Sequence, residues 1–263
     1  MNFSFIALLT VLGMVAGTLC MLEMGRRIGR RRMKRDPESA QASTGAIDGA
    51  IFGLLGLLIA FTFSGAASRF DERRSMIVEE ANSIGTAWLR LDLLPAAAQP
   101  PLREEFRQYL DARLSAFRKI PDFAAATADF KRASVLQTEI WTRAVAACRD
   151  SGSQPATMLL LPALNQMFDV ATSRTAGAQM HPPTIIYGML GLLLWAASLL
   201  AGVGLSLGRV RSWFHGMAFV LVMTLTVYVI VDFEFPRVGV IRIHGFEQVL
   251  VDLRQDMNAA EKP

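Results

Sequence analysis

The residues with most chemistry to offer sit in one short run. Residues 61–95 read FTFSGAASRFDERRSMIVEEANSIGTAWLRLDLLP, and Arg69, Asp71, Glu72, Arg73 and Arg74 follow there directly on an apolar stretch. The set has no catalytic logic. His181, His215 and His244 stand isolated among apolar or turn residues. No nucleophile motif, zinc spacing or phosphate loop occurs, so neither an enzyme nor a cofactor or metal is expected. The chemistry open to the run is electrostatic. On a solvated helix face it makes i,i+3 or i,i+4 pairs, such as Asp71 with Arg74. At a pore mouth it would concentrate counter-ions. Asp48 lies at the other end of the same apolar stretch, where an ionisable residue is either interfacial or part of a gate. Asp232, Arg237 and Arg242 form a second charged group near the C-terminus. Topology puts it on the same side as the first, so Arg237 and Arg242 are expected to pair with acids there, Arg237 with Asp71 for example.

The elements that carry these charges are helices in a membrane. The 263 residues are 52% hydrophobic and 19% charged, against about 45–50% and about 25% in a soluble domain. The net charge of +4 comes without a basic stripe interleaved with aromatics, which argues against nucleic-acid binding. Cys20 and Cys148 lie in different contexts, so no disulfide or metal site is expected. Four runs, 3–22, 46–67, 184–207 and 214–231, reach the roughly 20 apolar residues needed to span a bilayer. The first lacks the basic start and small-residue cleavage site of a signal peptide. Seven basic residues lie between Arg26 and Arg35. They place the loop 23–44 in the cytoplasm and the insertion 68–181 with the C-terminus outside it, in the periplasm. Arg209 and Arg211 agree; Arg69, Arg73, Arg74, Arg237 and Arg242 on the opposite face do not.

The insertion reads as helical over 102–119, 123–149 and 156–178, punctuated by Pro100, Pro101, Pro121 and DSGSQP. Phe246, Leu250 (or Val249), Leu253 and Met257 give the tail a short amphipathic helix that docks on the insertion. The expected fold class is therefore all-α: an integral membrane protein with four transmembrane helices and a helical insertion between the second and third. Its segments are 1–67, 68–181, 182–233 and 234–263.

The second membrane helix shows two periodicities. Gly49, Gly53, Gly56, Ala60, Ser64 and Ala67 share one face, a pattern that lets backbones approach closely in lipid. That face either packs inside one subunit or meets identical copies around an axis and lines a pathway. Beyond the membrane, Phe70, Ile77, Ala81, Ile84, Trp88 and Leu91 continue as a heptad-like seam. One unbroken helix over 47–94, ~70 Å long, is the expectation.

Two stretches resemble a known family. RFDERRSMIVEEANSIGTAWLRLDLLP after a membrane helix, and VDFEFPRVGVIRI with Asp232, Pro236, Arg237 and Gly239, are similar to the signatures of the bacterial bestrophin-like family. The layout of two helices, an insertion and two helices covers nearly the whole chain. The resemblance implies an oligomeric ion channel of the bacterial inner membrane. Bestrophins are pentameric chloride channels with a long pore-lining second helix, so small anions, the lipid bilayer and further copies of the chain are the implied partners. Phe61 and Phe63 would correspond to apolar neck residues, although they lie about 200° apart on a helix and cannot both face one axis. The acidic calcium cluster of bestrophins has no counterpart, and their insertion is cytosolic. The alternative is a membrane sensor, or an accessory or structural protein, with no conductance.

Overall fold

The computed structural model describes residues 3–35, 45–120, 122–206, 213–236, 241 and 244–259. All regular structure among them is helical: α1 (Phe3–Arg35), α2 (Gly45–Arg90), α3 (Gln99–Lys119), α4 (Phe123–Ser151), α5 (Gln154–Gln179), α6 (Thr184–Ser206), α7 (Trp213–Glu234) and α8 (Gln248–Ala259), with 3-10 turns at Leu91–Leu93 and His244–Glu247. Three described stretches, Gly45–Leu93, Gln154–Ser206 and Trp213–Glu234, are long and apolar enough to cross a membrane. The chain divides into two units, Met1–Phe70 with His181–Ile241 and Asp71–Met180 with Arg242–Pro263.

Helix α2 has 46 residues and does not break where its character changes. No Pro or Gly pair interrupts it, and the 3-10 turn before Pro95 ends it. The basic run 23–35, expected as a loop, is instead the second half of α1. Arg, Lys and Met are good helix formers, and Arg32, Lys34 and Arg35 in the last turn face the carbonyl end of the helix dipole.

In the first unit the tightest pairing is α1 with α6, through glycine. A Cβ on Gly25 would lie closer than 3.0 Å to the carbonyl oxygen of Leu199, and one on Gly202 equally close to that of Leu22. Gly29 meets Ser206 and Gly17 meets Trp195 in the same way. Helix α2 joins this unit by side chains: Leu55 and Ala66 pack with Leu190, Leu194 and Ala197 of α6 and with Val227 and Ile230 of α7.

The second unit closes around α3, whose Leu102, Phe106, Tyr109, Leu110 and Phe117 are all buried. Ile77, Ala81, Ile84 and Trp88 of α2, with Leu91, are buried in the same unit, so the heptad-like seam is the core-facing side of the helix. Asp122 caps α4 by accepting from the Ala125 N–H at 3.0 Å, and Ser153 caps α5 through Ala156. Between them Gly152 adopts φ 61°, a left-handed helix stop that costs a glycine little. The tail helix α8 buries Leu250 and Met257 and lies on α3, where Arg254 donates to both oxygens of Asp111 at 2.9 and 3.0 Å.

Candidate functional site

The most conspicuous feature is a face of α2 that the described residues leave open. Gly49, Gly53, Gly56, Ala60 and Ser64 are all exposed. A Cβ on any of the three glycines would meet nothing within 4 Å. In the second unit the exposed residues of the same helix include Asp71, Ser75, Val78, Asn82, Thr86 and Leu89. Steps of three and four residues carry one helical face from Gly49 to Leu89. Small side chains at this position leave room for another backbone. Of the two aromatics, Phe61 is 68% exposed, while Phe63 rests edge-on against Phe233 at 5.7 Å. Asp48 lies in the first turn of α2, where free N–H groups favour a carboxylate.

The charged run divides its labour. Arg69 turns into the first unit and donates to Glu234 Oε2 from Nε at 2.8 Å, with Nη2 at 2.7 Å. Glu234 is fully buried, and its Oε1 lies 3.0 Å from His181 Nδ1. The imidazole stacks on Phe235 at 4.6 Å. Arg73 donates to the carbonyls of Gly177 and Met180 at 3.2 and 2.7 Å, satisfying the open end of α5. Arg74 makes the expected i,i+3 pair with Asp71 at 3.1 Å and lies over Phe246. Asp232 is buried and accepts from the Ile241 N–H at 2.8 Å, which fixes the chain as it leaves α7. Arg237 and Arg242 lie outside the described residues.

A second buried cluster escaped the sequence reading. Glu80 of α2 is fully buried and accepts from Arg113 Nε at 2.6 Å and from Arg174 Nη1. Arg113 donates further to Thr175 Oγ1 at 2.9 Å and the Ala171 carbonyl at 3.1 Å. Arg174 reaches Glu247 at 3.2 Å and lies 3.7 Å from the centre of the Phe117 ring. Burial pushes the Glu80 carboxyl up, but the two guanidiniums outweigh it and hold the group below its ordinary range. Burial likewise pushes the Tyr109 phenol up to about 12. A signal for Glu80 existed in the register: it falls three residues after Ile77 and four before Ile84, on the apolar seam itself. His181 and Glu234 gave less warning, since HPP and VDFEFP read as a turn and a helix end.

These clusters contain no nucleophile beside a base, and no group of three or more metal-ligating side chains occurs among the described residues. They join distant segments into fixed bodies beside an open helix face.

Comparison with known proteins agrees with this architecture. Residues 7–245 match the model of the bestrophin-like domain. A crystal structure of a bacterial bestrophin homologue from Klebsiella pneumoniae superposes with a TM-score of 0.68 at 15% identity, over 93% of this chain and 98% of that one. A second variant of the Klebsiella protein gives 0.67 at 14% identity, over 95% and 99%. A structure described only as a membrane protein gives 0.68 at 13%, over 97% and 99%. A search of curated protein sequences returned no match. At such identities the structural likeness speaks for the fold, and the sequence model speaks for descent. A helical membrane protein with this layout, matched by one family over nearly all its length, belongs to the bestrophin-like domain family.

Proposed function

We infer that the protein is a homo-oligomeric ion channel of the bacterial inner membrane, with α1, α2, α6 and α7 as its four spans and α2 lining the pathway. The observation that carries this reading is the open α2 face from Gly49 to Leu89. A face of Gly, Ala and Ser contributes little to burial against lipid tails, but it allows copies of one helix to converge on an axis. Gly49, Gly53, Gly56, Ala60 and Ser64 would then line the pathway, with Phe61 beside the constriction and Asp48 at its cytoplasmic end. The basic half of α1 stays in the cytoplasm, which puts the second unit in the periplasm.

A pentamer conducting small anions is what the family resemblance implies. The local charge offers a test of that sign. Arg69 and Arg73 are engaged within their own units and Arg74 pairs with Asp71, whereas Glu72 lies on an exposed α2 position. That carboxylate lowers the local anion concentration at low ionic strength. Planar-bilayer recording of the purified protein under a salt gradient reads both conductance and sign. Absence of current across pH, salt and lipid composition, together with a monomeric particle in detergent, would overturn the channel and leave an accessory or sensory role.

A further inference from the structure

A groove in the first unit carries an inference that does not depend on conduction. Its walls include Leu58, Phe61 and Gly65 of α2, Ile186 and Met189 of α6, and Ile230 of α7. Its volume is 290 Å³, close to the lower end of small-molecule sites. The lining is predominantly apolar, and Arg69 closes one end. Polarity is graded along the wall: Leu58 to Arg69 covers ~16 Å of helix, from a lipid-compatible side chain to a guanidinium.

The polar end is rich in donors and poor in acceptors. Arg69 spends Nε and Nη2 on Glu234. Its Nη1 lies back over Gly65, 3.2 Å from where a Cβ there would sit, and makes no hydrogen bond among the described residues. Both oxygens of Glu234 are engaged, by Arg69 and His181, and the residue has no exposed surface. An anionic oxygen arriving at this end finds N–H donors and no exposed carboxylate. The other polar groups of the lining are the neutral hydroxyls of Thr62 and Tyr187. An acyl chain in the apolar length would bring a headgroup phosphate to that place.

We propose that this groove is a binding site for an anionic phospholipid, with one acyl chain along Leu58, Phe61 and Ile186 and its phosphate accepting from Arg69. Gly65 is a positioning residue, because the absent side chain leaves room for the guanidinium to face the groove.

The test is native mass spectrometry of the detergent-purified full chain. Phosphatidylglycerol and phosphatidylcholine of equal acyl length are titrated separately. The wild type should retain phosphatidylglycerol about tenfold better, as one charge-assisted hydrogen bond allows. The Arg69→Gln/Glu234→Gln double variant removes both charges of that pair at once. It should lose the preference while binding phosphatidylcholine as before. Gly65→Ala changes no charge and should weaken the preference; it keeps the test open if the double variant fails to fold. Ile186→Trp, which fills the apolar length, should lower uptake of both lipids. Equal retention of the two lipids by the wild type, or a preference that survives both Arg69→Gln/Glu234→Gln and Gly65→Ala, overturns the proposal. Displacement of phosphatidylglycerol by equimolar glycerol phosphate assigns the site to free phosphate and also overturns it. So does Ile186→Trp that dissociates an oligomer with lipid uptake unchanged, since a second copy then fills the groove.

Discussion

Replacing Glu80 by Gln puts a number on the buried network of the second unit. The substitution preserves shape and removes one negative charge. Arg113 and Arg174, both buried, are left with Glu247, the Thr175 hydroxyl and the Ala171 carbonyl as partners. Two positive charges then face one carboxylate where two had faced two. Breaking a buried pair from one side costs about 3–5 kcal/mol, because the remaining charge stays desolvated. At about 1.4 kcal/mol per power of ten, that is roughly two to three and a half orders of magnitude in the opening equilibrium. Hydrogen exchange of the intact protein in detergent reads it directly. Amides of α3, of α5 around Ala171–Thr175, and of the Asp71–Arg90 half of α2 should exchange faster by that factor. Glu79→Gln, on an exposed neighbouring position, should leave the same amides within threefold of the wild type, as exposed charges contribute under about 1 kcal/mol. A change of less than tenfold at those amides in Glu80→Gln would refute the reasoning, since the two guanidiniums would then need no carboxylate between them.

Three further outcomes follow. The Glu80 carboxyl is held below the ordinary glutamate value of 4.5 in the folded chain, so its contribution is fully present above that value and is lost as pH falls through the folded value. Opening of the second unit should therefore rise in acid below about pH 4.5, and Glu80→Gln should flatten that dependence. Gly202→Leu drives a side chain into the Leu22 carbonyl and should cost at least about 3 kcal/mol by overpacking, read as loss of folded protein after solubilisation. A Cβ at Gly53 meets nothing within 4 Å, so Gly53→Leu should leave the melting temperature of a monomeric fraction unchanged, while reducing both oligomer recovery and current.

The features legible in the sequence were those written locally. The rod was readable because residues 47–90 contain no Pro and keep one period across the membrane boundary. The seam from Ile77 to Leu91 was readable because heptad spacing identifies a buried face without naming its partner. The insertion helices were bracketed by prolines and by DSGSQP, which becomes a left-handed stop at Gly152. The extent of α1 was not legible, because arginines report where water is and not where a helix ends. Nor could spacing tell which glycines have neighbours. The regularly spaced set lies on α2, yet the close backbone approach belongs to Gly25 and Gly202. The two carboxylates that organise the charges were hidden by distance along the chain. Glu80 finds Arg174 94 positions away, and Glu234 meets Arg69 165 positions away. No local pattern reports such a meeting.

The contrast between glycine contacts and side-chain contacts has a mechanical consequence. Where α1 and α6 touch, carbonyl oxygens occupy the volume that side chains would fill, so neither can twist against the other without collision. Helix α2 is attached to the same unit through Leu55, Ala66 and the aromatic edges of Phe52 and Phe63. Such side chains can change rotamer and follow a small torsion of the rod. The α1–α6 pair is thus the rigid part of the unit, while α2, held besides by the Arg69–Glu234 pair, keeps side-chain contacts that can adjust.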